Sequence, residues 1–104
     1  MAKFKLTKKA VEDLADIWDY TCENWSEHQA DIYYQLLIES FKEIADNPGI
    51  GKNYSVIVKS LRGLKVGRHI VFFREMEGLK VEITRILHEQ MDLKERIIEN
   101  NPTQ

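Results

Sequence analysis

The sequence predicts a single α+β domain in which a short N-terminal strand and an antiparallel two-helix hairpin pack on an antiparallel sheet. Three observations predict this class. Apolar residues recur at spacings of three and four through the first half of the chain, they alternate at period two through the second half, and only short segments separate these stretches. The length of 104 residues fits one domain that covers positions 1–104.

An N-terminal strand is predicted at 3–6, because Phe4 and Leu6 alternate with lysines. Thr7 is placed to cap a helix that begins near Lys8. The apolar positions of this first helix recur at helical spacing, and we expect them to face the core: Val11, Leu14, Ala15, Trp18, Cys22 and Trp25.

A second helix is expected almost at once, since Ser26 and Gln29 have the spacing of a capping box. Asn47-Pro48-Gly49 ends it, because proline removes an amide donor. Its predicted core stripe is Tyr33, Leu36, Leu37, Ser40, Phe41, Ile44 and Ala45. So short a connection between the two helices predicts an antiparallel hairpin.

The second half of the chain predicts a loop at 49–60 and three consecutive strands at 61–66, 69–74 and 79–88, with Gly67 and Gly78 in the turns. Strict alternation in the last strand assigns one face to Leu79, Val81, Ile83 and Leu87, with Arg85 in the same phase. It assigns the other face to Lys80, Glu82, Thr84 and Ile86. Residues 94–99 are expected to form a short helical tail.

Composition and charge limit the function classes. The 15 basic and 17 acidic side chains give a formal charge of −2, which argues against a protein whose main affinity comes from neutralising phosphates. The single Cys22 excludes an internal disulfide, and the start of the chain has no apolar run suited to export or membrane insertion. We therefore expect a cytoplasmic protein that contacts no membrane and binds no specific nucleic-acid sequence by itself.

Most kinds of catalytic site find no support in the sequence. His28, His69 and His88 fall on different elements, so no metal site is predicted, and we expect no cofactor. Cys22 has the spacing of a packed residue, and no serine or threonine occupies a nucleophile elbow. Acid–base cleavage of RNA stays open, with His88 as the proton shuttle and arginines as phosphate clamps.

The end of the last strand gathers different kinds of functional side chain. Arg85 and His88 are followed at once by Met91 and Asp92, so a guanidinium, an imidazole, a thioether and a carboxylate can meet where the sheet ends. Arg85 and His88 each have a structural alternative as well. Arg85 can pair with a carboxylate, and His88 can hydrogen-bond to the following turn.

Four motifs accompany the strand and the helical hairpin: Asn47-Pro48-Gly49-Ile50-Gly51, Leu61-Arg62-Gly63, Gly67-Arg68-His69-Ile70-Val71-Phe72-Phe73-Arg74 and, most specific, Ile83-Thr84-Arg85-Ile86-Leu87-His88-Glu89-Gln90-Met91-Asp92. With these motifs the chain resembles, over nearly its whole length, the ParE toxins of bacterial toxin–antitoxin modules, in the RelE/ParE superfamily. The resemblance implies the RelE/ParE-like fold, which agrees with the elements predicted above.

The resemblance also implies a function. ParE toxins are non-enzymatic poisons that bind DNA gyrase and stabilise its cleaved-DNA complex, and a ParD antitoxin neutralises them. A ribosome-dependent mRNA endonuclease of the RelE type, using His88 with Arg62 and Arg85, is the alternative. A relative that has lost activity and only binds antitoxin is a third reading.

Two surfaces follow as expectations. The gyrase-contact patch is expected at the sheet end and consists of Arg68, Arg85, His88, Met91 and Asp92. The antitoxin is expected to insert an amphipathic helix and an extended segment into an apolar groove between the helix pair and the sheet. The residues predicted for that groove are Leu14, Trp18, Tyr20, Tyr34, Arg62 and Arg74.

Overall fold

Two helices lie on one face of a five-stranded mixed sheet, as shown by a computed structural model that describes residues 3–78, 80–90 and Ile97. The elements in chain order are β1 (Lys3–Leu6), α1 (Lys8–Asn24), α2 (Glu27–Asp46), a 3₁₀ turn (Pro48–Ile50), β2 (Lys52–Asn53), β3 (Arg62–Val66), β4 (His69–Met76) and β5 (Lys80–His88). The predicted α+β class is confirmed.

The sheet has the strand order β1-β5-β4-β3-β2. β1 pairs with β5 in parallel, and the other neighbours are antiparallel. The sheet is therefore mixed, because the chain crosses from β1 through both helices before it returns to form β5 beside it. The segment predicted as a loop at 49–60 also contributes the short edge strand β2.

Both predicted helix caps are confirmed. The side-chain oxygen of Thr7 accepts a hydrogen bond of 3.0 Å from the amide of Ala10, and that of Ser26 accepts one of 3.0 Å from Gln29. The Thr7 hydroxyl also donates to the carbonyl of Thr84 at 2.8 Å, so the cap of α1 is joined to β5. Neither helix of the described chain has the combined length and hydropathy needed to cross a membrane.

The core-facing stripe of α1 differs from the prediction. Ala10 and Leu14 are buried against the sheet and Ile17 is packed beside them. Val11, Ala15 and Trp25 of the predicted stripe are exposed, Trp25 to 73%. The observed stripe, with Ala10, Leu14 and Ile17, lies beside the predicted one on α1. Both have helical spacing, so spacing alone does not choose between them. Ala10 has no side chain beyond Cβ, so the stripe that contains it lets the helix lie close to the sheet. The stripe of α2 is confirmed except at Leu36, which is exposed.

A β-bulge changes the alternation of β5. Phe73 pairs with Ile83 but Phe72 pairs with Arg85, so Thr84 is an extra residue on β5. Beyond it Ile86 joins the core beneath the helices, while Leu87 joins the opposite face of the sheet. The prediction that Leu87 shares a face with Val81 and Ile83, and that Ile86 lies opposite them, was wrong, because it assumed an unbroken period of two. Leu79 lies outside the described residues.

The sheet is covered by apolar residues on both faces. The helix side carries the main core: Ala10, Leu14, Leu37, Phe41, Ile44, Ala45, Val66, Val71, Phe73, Val81, Ile83 and Ile86. The other face carries a second cluster: Leu61, Ile70, Phe72, Leu87 and Ile97, with Tyr54, Ile57 and Val58 packed against it. Ile97 is only 2% exposed. The predicted helical tail otherwise lies outside the described residues.

Candidate functional site

Two histidines meet where β5 ends. His69 begins β4 and is the cross-strand partner of His88, the last residue of β5. Their ring centroids are 5.3 Å apart and their planes are nearly perpendicular. The amide of Gln90 donates a hydrogen bond of 3.1 Å to Nδ1 of His88, which is the contact with the following turn considered as a structural role for this residue.

Tyr33 of α2 holds the β3–β4 turn beside this pair. Its hydroxyl lies 2.7 Å from Nδ1 of His69 and 3.2 Å from the carbonyl oxygen of Val66, and it accepts a hydrogen bond of 3.0 Å from the amide of Arg68. Gly67 has φ +60°, and a Cβ there would come within 2.7 Å of the Tyr33 ring. Glycine is therefore required both by the backbone conformation and by the approach of the tyrosine.

Burial sets the charge state of this cluster. Removal from water, together with the neighbouring His88, lowers the pKa of His69 to about 4. Burial also raises the pKa of Tyr33 above its usual value. At neutral pH His69 is thus uncharged and Tyr33 keeps its proton, so the pair forms a stable hydrogen bond and His69 is a poor proton donor.

Polar and charged side chains surround the end of β5, and we call Lys65, Arg68, His88 and Glu89 the β5 rim. Lys65 Nζ lies 3.0 Å from Glu89 Oε1, and this contact lowers the pKa of Glu89. The amide of Glu89 donates to the carbonyl of Arg68 at 3.0 Å. The β3–β4 turn and the end of β5 are thereby held together, and Arg68 and Glu89 remain exposed.

Arg85, three positions before His88, is largely buried against α1. Its Nε donates to Asp13 Oδ2 at 2.7 Å and its Nη2 donates to Oδ1 at 2.8 Å. The two side chains are only 11% and 12% exposed. The same Asp13 carboxylate accepts the amide of Ile86 at 2.9 Å, just after the bulge. The ion pair considered for Arg85 is therefore present, and it joins α1 to β5.

The sheet-end patch expected from the sequence is thus assembled in part. Arg68 and His88 lie together on the β5 rim, whereas Arg85 is buried against α1. Met91 and Asp92 lie outside the described residues. Within residues 3–78, 80–90 and 97, no group of three or more histidine, cysteine, aspartate or glutamate side chains is arranged to hold a metal ion.

The residues predicted for the antitoxin groove do not form one surface. Leu14 is in the core that fills the space between the helices and the sheet. Tyr20 follows Trp18 by two positions, which is about 200° around the helix, so the two side chains lie on opposite sides of α1. Arg62 pairs with Phe73 and Arg74 pairs with Glu82, so alternation puts the two arginines on opposite faces of the sheet. Arg74 is also held by Glu82 at 2.9 Å.

Trp18 and Tyr34 do come together, on the outer side of the helical hairpin. With Ala15, Asp19 and Asp31 they line an open groove of about 400 Å³, which we call the outer groove. The indole N–H of Trp18 donates to Asp31 Oδ1 at 3.2 Å. Tyr34 is 39% exposed. The outer groove thus combines two aromatic side chains with two carboxylates.

Comparison with known proteins shows the family. The model of the ParE toxin of the type II toxin–antitoxin system parDE matches residues 4–93. The chain belongs to the ParE toxin family. Toxin ParE1 of Caulobacter vibrioides is 35% identical over 94 residues, which are 90% of this chain and 96% of that protein. Toxin ParE of Escherichia coli is 32% identical over 97 residues, covering 93% of this chain and 94% of that protein.

A solved structure agrees with this assignment. The chromosomal ParDE system from P. aeruginosa contains a chain that is similar to this one with a TM-score of 0.72 and 27% sequence identity. The similarity covers 85% of this chain and 96% of that one. The ParE resemblance inferred from the motifs is therefore confirmed, and so is the two-helix and sheet architecture that it implied.

Several residues of this ParE-family site were not predicted. Asp13 and Tyr33 are on helices, 72 and 36 positions before their partners Arg85 and His69. Only the tertiary fold brings them to the sheet end. The pairing of His69 with His88 was partly predictable, because β4 begins at His69, β5 ends at His88 and one hairpin joins the two strands. The bulge, however, shifts the register by one residue.

Proposed function

We propose that this ParE-family toxin binds DNA gyrase and stabilises its cleaved-DNA complex without breaking any bond itself, and that a ParD-like antitoxin neutralises it. Membership of the ParE family supports this function. The observation that carries it is the geometry of the β5 rim: backbone hydrogen bonds fix Arg68, His88 and Glu89, and the neighbouring His69 is uncharged at neutral pH. Such a surface suits recognition of another protein better than proton transfer.

The proposed gyrase contact is the exposed part of the sheet end. Arg68 and His88 form its centre, and Met91 and Asp92 are proposed to extend it. Arg85 has a different proposed role, because its guanidinium is buried with Asp13 and joins β5 to α1. An exposed guanidinium next to an imidazole offers directional donors for protein recognition.

The antitoxin is proposed to dock on the helical hairpin. ParDE modules pair a toxin with an antitoxin, and the outer groove offers partly exposed aromatic side chains with polar tips, which are favoured at interfaces. Of the six residues first expected there, Trp18 and Tyr34 carry this proposal. The toxin itself needs no cofactor.

One experiment tests the proposed function. Purified protein is incubated with gyrase, ATP and supercoiled plasmid, and the reaction is stopped with detergent and protease. Linear plasmid that appears only with both gyrase and the toxin supports poisoning. Plasmid that stays supercoiled at every toxin concentration would contradict it.

A second candidate is ribosome-dependent mRNA cleavage. The observation that favours it is the short distance from His88 to His69 and on to the Tyr33 hydroxyl, since an imidazole and a phenol can relay protons. In translating ribosomes, mRNA cuts that disappear in His88→Gln would support this candidate over gyrase poisoning. If neither plasmid nor mRNA is cut, the result favours the third candidate, an inactive relative that only binds antitoxin.

A further inference from the structure

Charge is distributed very unevenly along this chain. Between Glu12 and Glu39 there are eight acidic side chains and no lysine or arginine, so all 15 basic side chains lie outside this stretch. The stretch forms most of α1 and α2. The formal charge of −2 therefore conceals a strongly acidic hairpin attached to a basic remainder.

The outer groove lies in the middle of this acidic hairpin. Both charged residues that line it are acidic, Asp19 and Asp31, and both are exposed. Asp31 Oδ1 accepts the Trp18 indole N–H, which holds the carboxylate at the groove while leaving it capacity to accept further hydrogen bonds. The rings of Trp18 and Tyr34 supply the remaining contact surface.

The combination of aromatic rings and carboxylates in the outer groove favours the binding of a cation. A guanidinium can stack on an aromatic face and donate to a carboxylate at the same time, and both contacts are stronger for a charged donor. Phosphate-bearing partners such as nucleic acids and anionic membranes are disfavoured, because the surrounding carboxylates repel them. The apolar parts of Ala15, Trp18 and Tyr34 suit the aliphatic stem of the same side chain.

We propose that the outer groove binds an arginine-bearing amphipathic segment of a partner protein. The proposal rests on the proposed function in one respect, which is that the antitoxin is the source of this segment. Arginine side chains of the segment lie over Trp18 and Tyr34 and bind Asp19 and Asp31, and the acidic surface of the hairpin speeds their association.

The experiment uses an unbiased probe. A displayed library of random 16-residue peptides is selected against the whole protein, and the enriched peptides are tested for binding to two charge-matched double variants. Asp19→Asn with Asp31→Asn removes the groove charges and keeps an oxygen to accept the indole N–H. Glu75→Gln with Glu77→Gln removes two exposed charges near the β4–β5 turn. Circular dichroism confirms that each variant is folded.

The expected result has three parts. The enriched peptides are rich in arginine, they bind the Asp19/Asp31 variant about tenfold or more weakly than the Glu75/Glu77 variant, and they shift the NMR signal of the Trp18 indole N–H. Neutral or acidic enriched peptides would overturn the proposal, and so would equal binding to both variants or an unmoved indole signal.

The gyrase assay separates this proposal from the proposed function. The Asp19/Asp31 variant should linearise plasmid as well as the parent protein does, because the groove is not part of the β5 rim. A parent protein that fails to linearise plasmid refutes gyrase poisoning and leaves the peptide result intact. Groove variants that lose plasmid cleavage although they are folded would overturn the separation of the two surfaces.

Discussion

Arg85 and Asp13 form a two-point ion pair between β5 and α1, with Nε–Oδ2 at 2.7 Å and Nη2–Oδ1 at 2.8 Å. The pair lies at the bulge, where the amide of Ile86 also needs an acceptor because β1 has ended at Leu6. The Asp13 carboxylate therefore accepts hydrogen bonds from both a guanidinium and a backbone amide. The position of the β5 rim relative to α1 depends on this contact.

Asp13→Ala should destabilise the protein by about 3–5 kcal/mol, because it leaves the buried Arg85 charge without its carboxylate and the Ile86 amide without its acceptor. Urea unfolding followed by circular dichroism measures the loss. Glu12→Ala is the control, since its contact with Lys9 at 3.8 Å is on the surface and should contribute about 0–1 kcal/mol. Equal losses in the two variants would show that the buried ion pair contributes no more to stability than a surface pair does.

Gly67→Ala and Gly78→Ala provide a matched comparison. Both glycines have positive φ, so both substitutions carry a strain of about 1–2 kcal/mol. Only at Gly67 would the new Cβ meet the Tyr33 ring, whereas no atom lies within 4 Å of the corresponding position at Gly78. Gly67→Ala should therefore cost about 1–3 kcal/mol more in unfolding free energy. That difference should disappear when Tyr33 is also changed to Ala, and its persistence would contradict the tyrosine contact.

Stability should fall as the pH falls through the range set by His69. Its pKa is lowered from 6.5 when unfolded to about 4 when folded, so the folded state disfavours protonation. The stabilisation is fully present above pH 6.5 and is lost as the pH decreases toward 4. Because solvent reaches part of the ring and screens its charge, the loss should be about 1–2 kcal/mol. Urea unfolding at about pH 7 and pH 4.5 tests this. His69→Gln should reduce the pH dependence, whereas His28→Gln, at an exposed position, should keep it. The same pH dependence in both variants would exclude His69 as its source.

Ile97→Ala should cost about 2–4 kcal/mol, because the side chain is 2% exposed and packs in the second cluster. Val56→Ala is the control for loss of apolar volume, since Val56 is 93% exposed and its truncation should change stability by less than about 0.5 kcal/mol. Thermal unfolding of both variants measures the difference. An Ile97 variant as stable as the Val56 variant would mean that residue 97 does not pack on the sheet.

Features controlled by neighbouring residues were predictable from the sequence. The caps at Thr7 and Ser26 depend on a side chain and an amide three residues later, and both are observed. The turn at Gly67 and the end of α2 before Pro48 follow equally local rules. The helical hairpin on a sheet follows from these elements, because their apolar faces need one another.

Features that depend on tertiary contacts were predicted poorly. The bulge at Thr84 reverses the face of every later residue in β5, and no local turn residue marks it. The choice between the two stripes of α1 depends on how closely the helix can approach the sheet. The burial of Arg85 depends on Asp13, which is 72 positions away. A strand pattern therefore located the sheet end but could not separate its exposed side chains from its buried ones.

Linearisation of supercoiled plasmid by gyrase, measured with Arg68→Ala beside Arg74→Ala, decides whether the β5 rim contacts gyrase. Both arginines are exposed, but Arg68 is on the β5 rim and Arg74 pairs with Glu82 on the opposite face of the sheet from the helices. We predict gyrase-dependent linear plasmid with the parent and with Arg74→Ala, and about tenfold less with Arg68→Ala. Undiminished linear plasmid with Arg68→Ala would show that the β5 rim is not the gyrase contact, and its absence with the parent protein would show that the toxin does not poison gyrase.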